Sequence, residues 1–305
     1  MSTSPAARPG LGVLLVLAAS LLWGTTGTAA TLAPEVSPLA IGAVALGIGG
    51  LLQAAVAGRS LRSALPLLRR RWPIVLAGGL GVFAYPLAFY SSMHLAGVTI
   101  GTVVSLGSAP VFAVLLEWAV DRTRPSRRWA LAAGLGLLGM ALLSVAGGEV
   151  GGQAGGAVPG TALGLLAGAS YAGYAWAAHR LIGPGVSSRA AMGAVFGLGG
   201  LLLIPVLLAT GAPLIASWRA FGVGAYMALV PMFLGYLLFG VALRHLDAST
   251  ATVLTLSEPV IAALLAAAVV GERLSPLGGV GMVLIGASLA LNGLRPGPRG
   301  RTRSA

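Results

Sequence analysis

The chain has 305 residues, of which 57% are hydrophobic and only 9% charged, and it carries a formal net charge of +12. A soluble globular protein gives about a quarter of its residues to charge, so this chain lacks the polar surface needed to face water. It has no cysteine, which removes disulfides, thiolate metal sites and cysteine nucleophiles.

Ten apolar runs follow one another: about 11–33, 37–57, 73–94, 97–118, 128–146, 159–180, 189–210, 219–243, 249–270 and 275–294. A spanning helix needs ~20 such residues. In lipid every backbone polar group must be satisfied within its own segment, and unbroken apolar runs do not fit the alternation of a barrel strand. The expected fold is therefore an all-α integral membrane protein of ten helices. The first run follows Arg8 and ends in "TAATLA", as a signal peptide would. Its length of ~20 residues suits a retained helix better.

All 19 basic residues are arginine, and they gather between the runs and at the C-terminus, which argues against a nucleic-acid partner. With a cytoplasmic N-terminus, 17 arginines fall on the inner side, and only Arg219 and Arg273 fall outside. That asymmetry places both termini in the cytoplasm, with the arginines against anionic headgroups of a bacterial plasma membrane.

The chain is written twice. "HLAGVT…PVFAVLL…RPS" from residue 94 returns as "HLDAST…PVIAALL…RLS" from residue 245. His94 pairs with His245, Pro110 with Pro259, Arg124 with Arg273, and Ser20 with Ser170. The halves are 11–146 and 159–294, joined by a Gly-rich linker at 147–158 and followed by a basic tail at 295–305. Five spans per half is an odd number, so the second half enters from the opposite face. Inverted repeats are the signature of secondary transporters, with the site near mid-depth at the repeat interface. Gly160, Gly164 and Gly168, and Gly193 with Gly197, form small-residue ridges suited to close helix packing. "GLGLLG" at 134–139 matches a dinucleotide-binding pattern but lies inside a span with no preceding strand, so it carries no such meaning.

These features, with "WGTTG" in the first span and "LSEPVIAALLAAAVVGERLSPLGGVGMVLIGASLAL" at the end, resemble EamA-like domains of the drug/metabolite transporter superfamily across about 11–294. The resemblance implies a ten-helix exporter or permease for small metabolites. It leaves the cargo open, because members differ widely in substrate.

At 1.5 Å per residue, Trp23, Thr25 and Thr26 lie near the middle of the first span. Tyr85 and Tyr236 each stand nine residues before a histidine at a helix end, about 13 Å in. Ser108, Ser170, Tyr171, Tyr174, Ser257 and Glu258 lie at similar depth. Together they are the candidate substrate-binding set, since polar groups in hydrocarbon tend to face the bundle interior. The hydroxyls have a plainer alternative, bonding carbonyls one turn back. Pro110 and Pro259 are candidate hinges, and prolines at 86, 110, 231 and 259 free backbone carbonyls. Tyr90, Trp118 and Trp218 read as interface anchors. Glu117 reads as a structural charge near Asp121 and the arginines, and Glu272 with Arg273 as an outer ion pair. The three histidines sit at different helix ends, so no metal site is expected, and no cofactor either. Glu258 stands apart, because its repeat counterpart is Ala109. One half-bundle thus packs without the carboxylate, which favours a role in binding over the alternative, a structural hydrogen bond to a neighbouring helix.

No arginine lies mid-span, which disfavours phosphorylated cargo. Hydroxyls, aromatic faces and one acid suit an amino acid or an amphipathic amine, with Glu258 holding a proton or the amine. The alternatives are a membrane enzyme and a non-transporting scaffold. The sequence offers the enzyme no metal-ligand set and no G-x-S-x-G elbow, and it offers the scaffold no soluble domain.

Overall fold

A computed structural model describes residues 8–146, 155–265 and 275–293, excluding the side chains of residues 98 and 99. Most of the linker, the end of the ninth run with Glu272 and Arg273, and the basic tail lie outside the described residues.

Among the described residues the chain forms ten helical rods. These are α1 (Pro9–Thr31), α2 (Pro38–Arg70), α3 (Trp72–Ala96), α4 (Val98–Asp121), α5 (Arg127–Ala146), α6 (Ala157–Leu181), α7 (Ser188–Thr210), α8 (Trp218–Ala242), α9 (Ala248–Leu265) and α10 (Pro276–Gly293). Eight are long and apolar enough to cross a membrane by length and composition. The other two are α10, which is shorter, and α6, whose apolar run is diluted by glycines, tyrosines and His179. Leu131, Leu201, Leu208 and Val283 point outward where a soluble protein would place charge.

The rods pack as two interlocked five-helix units. α2 lies on α7, and α5 on α10. The pair α3–α6 is matched by α8–α1, α4–α6 by α9–α1, and α3–α7 by α8–α2. The main contacts thus recur when each helix is exchanged for the one five places along, as inverted repeats require. The glycine ridges make this possible. Gly160 and Gly164 on α6 meet Ala96 and Ser92 of α3, and Gly168 meets Ser105 and Ser108 of α4. Gly193 and Gly197 on α7 lie against Ala57 and Ala54 of α2. α1 is built into the bundle, with Gly24 against Ile261 and the Glu258 carbonyl of α9.

Two elements differ from the apolar runs. α2 continues past residue 57 to Arg70. Ala57, Ala64 and Leu68 remain buried on one stripe of that extension while its arginines face out, so an amphipathic helix carries on where the uniform apolar signal stops. α9 is interrupted: one segment ends at Leu254 and the next begins at Ser257. Pro259 has no N–H to give the Thr255 carbonyl, which instead accepts from the Glu258 N–H at 2.9 Å.

Candidate functional site

Three discontinuities meet at mid-depth. In α1 the helix breaks at Thr25, where the Thr25 hydroxyl donates to the Leu22 carbonyl at 2.6 Å and the Thr26 hydroxyl to that of Trp23 at 2.7 Å. Such side-chain bonds compete with the helical ladder. α8 opens into a π-helical turn over Ala228–Leu234 around Pro231. The third is the break in α9. Irregular backbone at membrane depth is tolerated where protein buries it or a cavity receives it. Here the Trp23 indole N–H donates to the Pro231 carbonyl at 2.9 Å, and the Gln53 amide donates to that of Phe233 at 2.8 Å.

Between these breaks lies a narrow cavity of ≈ 30 Å³, room for roughly two waters. Trp23, Thr26, Tyr85, Tyr171, Tyr236 and Glu258 all line it. Tyr174 sits directly behind, fully buried, with its hydroxyl 2.7 Å from that of Tyr236. The rings form one continuous cluster. The Trp23 and Tyr236 centroids are 4.9 Å apart, those of Tyr171 and Tyr174 are 5.1 Å apart, and those of Tyr85 and Tyr171 are 5.6 Å apart. Among the described residues Glu258 is the one acidic residue on the wall, and no arginine or histidine lines it.

The remaining candidates lie elsewhere or are occupied. Thr25 spends its hydroxyl on Leu22 and Tyr226. Ser257 donates to the Leu254 carbonyl and Ser108 to that of Ser105. Ser170 is buried, and its carbonyl packs beside Gly81. Pro110 stands inside the unbroken α4, whereas Pro259 follows the interruption in α9.

Tyr90 is a correction: it lines the cavity rather than anchoring a helix end. It stands four residues after Pro86, and Phe89 stands four after Tyr85, so both share a helix face with cavity residues. That spacing was the available signal. Gly42 leaves the space into which the Tyr90 ring packs. Trp118 and Trp218 are exposed at helix ends, as sketched from the sequence.

A larger cavity of ≈ 360 Å³ opens at the arginine-rich end, about 13 Å from Glu258 along α9. It is lined by Glu117, Asp121, Arg124, His179, Arg180 and Ser249 among others. Its walls carry the Asp121–Arg180 and His179–Asp247 pairs, unlike the aromatic cluster at mid-depth. Glu117 differs here from its sequence reading. It is buried and takes no arginine; its two oxygens accept from the Ser249 N–H at 2.9 Å and the Ser249 hydroxyl at 2.6 Å.

The EamA-like transporter family model matches the chain twice, over residues 10–145 and 158–294. The chain belongs to the EamA-like transporter family. An uncharacterized transporter, YwfM of Bacillus subtilis (strain 168), is 36% identical to this EamA-like chain over 275 residues, covering 89% of the chain and 90% of the relative. A protein crystal structure aligns over 92% of this chain and 95% of its own with a TM-score of 0.73. At 22% identity that likeness shows the fold alone. This EamA-like chain is a multi-pass membrane transporter.

Proposed function

We propose that this transporter moves a small amine-bearing or amphipathic metabolite, such as an amino acid, across the bacterial cell membrane by alternating access. Both termini lie in the cytoplasm and export is the working direction. The observation that carries the reading is the position of Glu258. It borders an aromatic cavity at the point where three helices break, with no cation on the wall among the described residues. An ammonium group satisfies a lone carboxylate, and tyrosine and tryptophan faces attract it further. A proton satisfies the same carboxylate when the cargo has left.

At ≈ 30 Å³ the cavity is far below the several hundred cubic ångströms that enclose a metabolite. Cargo therefore enters a wider conformation than this one, as rocking of the two repeats would supply. A thermal-shift screen of amines, amino acids and nucleosides identifies the cargo by the stabilisation it gives. Glu258→Gln in proteoliposomes then tests the carboxylate: transport of that cargo falls at least tenfold, or loses its pH dependence. Unchanged flux with unchanged pH dependence refutes both roles.

A further inference from the structure

The bundle is tied at one end by polar bonds that join helices of both repeats. The Asp121 carboxylate on α4 lies 2.7 Å from the Arg180 guanidinium on α6 and accepts from the Trp176 indole at 2.9 Å. Glu117 on α4 holds the first turn of α9 through both bonds to Ser249, which satisfy orphan groups of a helix N-terminus. His179 on α6 bonds the Leu243 carbonyl at the end of α8 at 2.8 Å, and its other ring nitrogen is 3.9 Å from Asp247. All of these groups gather at the arginine-rich end.

The repeat register shows what stands at the equivalent places of the opposite end. From the paired prolines, Glu117 corresponds to Ala266 and Asp121 to Val270. From the paired serines, His179 and Arg180 correspond to Ala29 and Ala30. From the paired histidines, Asp247 corresponds to Ala96 and Ser249 to Val98. The charged members and Ser249 map onto alanine or valine, and Trp176 maps onto Thr26. The fold is symmetric, but the sequence at these equivalent positions is not.

We infer that these residues form a one-sided polar latch, which makes the conformation closed at the arginine-rich end the resting state. The inference rests on the alternating-access reading. In two inverted repeats, opening one end exchanges its contacts for the equivalent contacts at the other. Leaving this conformation breaks charge-assisted bonds, and at the equivalent positions of the charged groups the sequence offers alanine or valine in return. The cavity at mid-depth is accordingly approached at rest from the arginine-poor side, where Thr26, Gly42 and Tyr90 line it.

The chain has no native cysteine, so single reporters can be read without background. Thr26→Cys, partly exposed where the cavity faces the arginine-poor side, reports on that approach. Thr252→Cys, fully buried on α9 between latch and cavity, reports on the closed path. Each is placed in the full chain in vesicles and exposed to a membrane-impermeant maleimide from either side. With the latch intact, Thr26→Cys reacts from the arginine-poor side and Thr252→Cys is protected. E117Q/D121N raises Thr252→Cys modification from the arginine-rich side about five- to thirty-fold, the range for one or two kcal/mol, and lowers that of Thr26→Cys. The charge swap D121R/R180D restores the original pattern relative to D121R alone. Should E117Q/D121N fail to fold, the partly exposed Asp121→Asn carries the same test. Unaltered labelling in a folded latch variant, or a swap that restores nothing, overturns the inference. Labelling reads conformation without any cargo, so the latch and the transport reading can fail separately.

Discussion

Trp23 shows how one side chain can serve both packing and the cavity. Its ring is almost fully buried, stacks at a tilt on Tyr236 and Phe239, and faces the cavity with one edge. Its indole N–H satisfies the Pro231 carbonyl at the π-turn of α8. Trp23→Phe keeps the ring and removes the donor, leaving a buried carbonyl unpaired at a cost of about 1–3 kcal/mol. A lower unfolding temperature of the purified variant in detergent is the expected result. Trp23→His, with a donor in the ring, loses more packing and does not rescue it. At this scale the sequence was informative about depth and poor about direction. Counting residues from helix ends brought Tyr85, Tyr171, Tyr236 and Glu258 to one level, and the structure brings them to one wall. Ser108 and Ser257 reach the same level but turn their hydroxyls to their own helices. Depth is a property of the count, whereas facing depends on neighbours that one chain does not reveal.

The helices themselves carry the next level of specification. Ser37 and Ser187, equivalent in the two repeats, each accept a backbone N–H three residues on, from Ala40 and Ala190 at 3.2 Å. They start α2 and α7, which then pack on each other along glycine and alanine. Within this seam a Cβ on Gly200 would stand 2.7 Å from the Gly47 carbonyl oxygen and 3.1 Å from the Leu51 nitrogen. Both obstacles are backbone, so neither can rotate away. Gly200→Val therefore costs at least the 1–3 kcal/mol typical of overpacking, visible as a lower unfolding temperature, while Gly173→Ala, with open space at its Cβ, leaves it unchanged. The limits of sequence reading at this scale have a clear cause. Pro259 announced a disturbance in α9, but the position of the break depends on which carbonyl finds another donor. The break at Thr25 has no proline at all, only two adjacent hydroxyls that capture carbonyls three residues back.

For the whole molecule, the repeat was the most legible feature, because five identities in a seven-residue block survive in "PVFAVLL" and "PVIAALL". The latch was invisible for the opposite reason: it is made of the residues at which the repeats disagree. Arginine placement makes a prediction about orientation that the absence of cysteine renders simple to check. A cysteine at Ser63, on the extension of α2, is expected to react with an impermeant reagent only from the cytoplasmic side. One at Ser217, before α8, is expected to react only from outside. Reaction of both from the same side would overturn the two-sided arrangement.

The length of α2 has a practical consequence. Thirty-three residues make a rod of about 50 Å, against a hydrocarbon layer of about 30 Å. Roughly 20 Å of it therefore stands clear of the hydrocarbon, and α3 returns directly from it with a single intervening residue, Arg71. The protein thus carries a stiff helical hairpin at its arginine-rich face. A rigid binding protein raised against that hairpin would give single-particle images a fixed fiducial, with no domain fused into the transport unit.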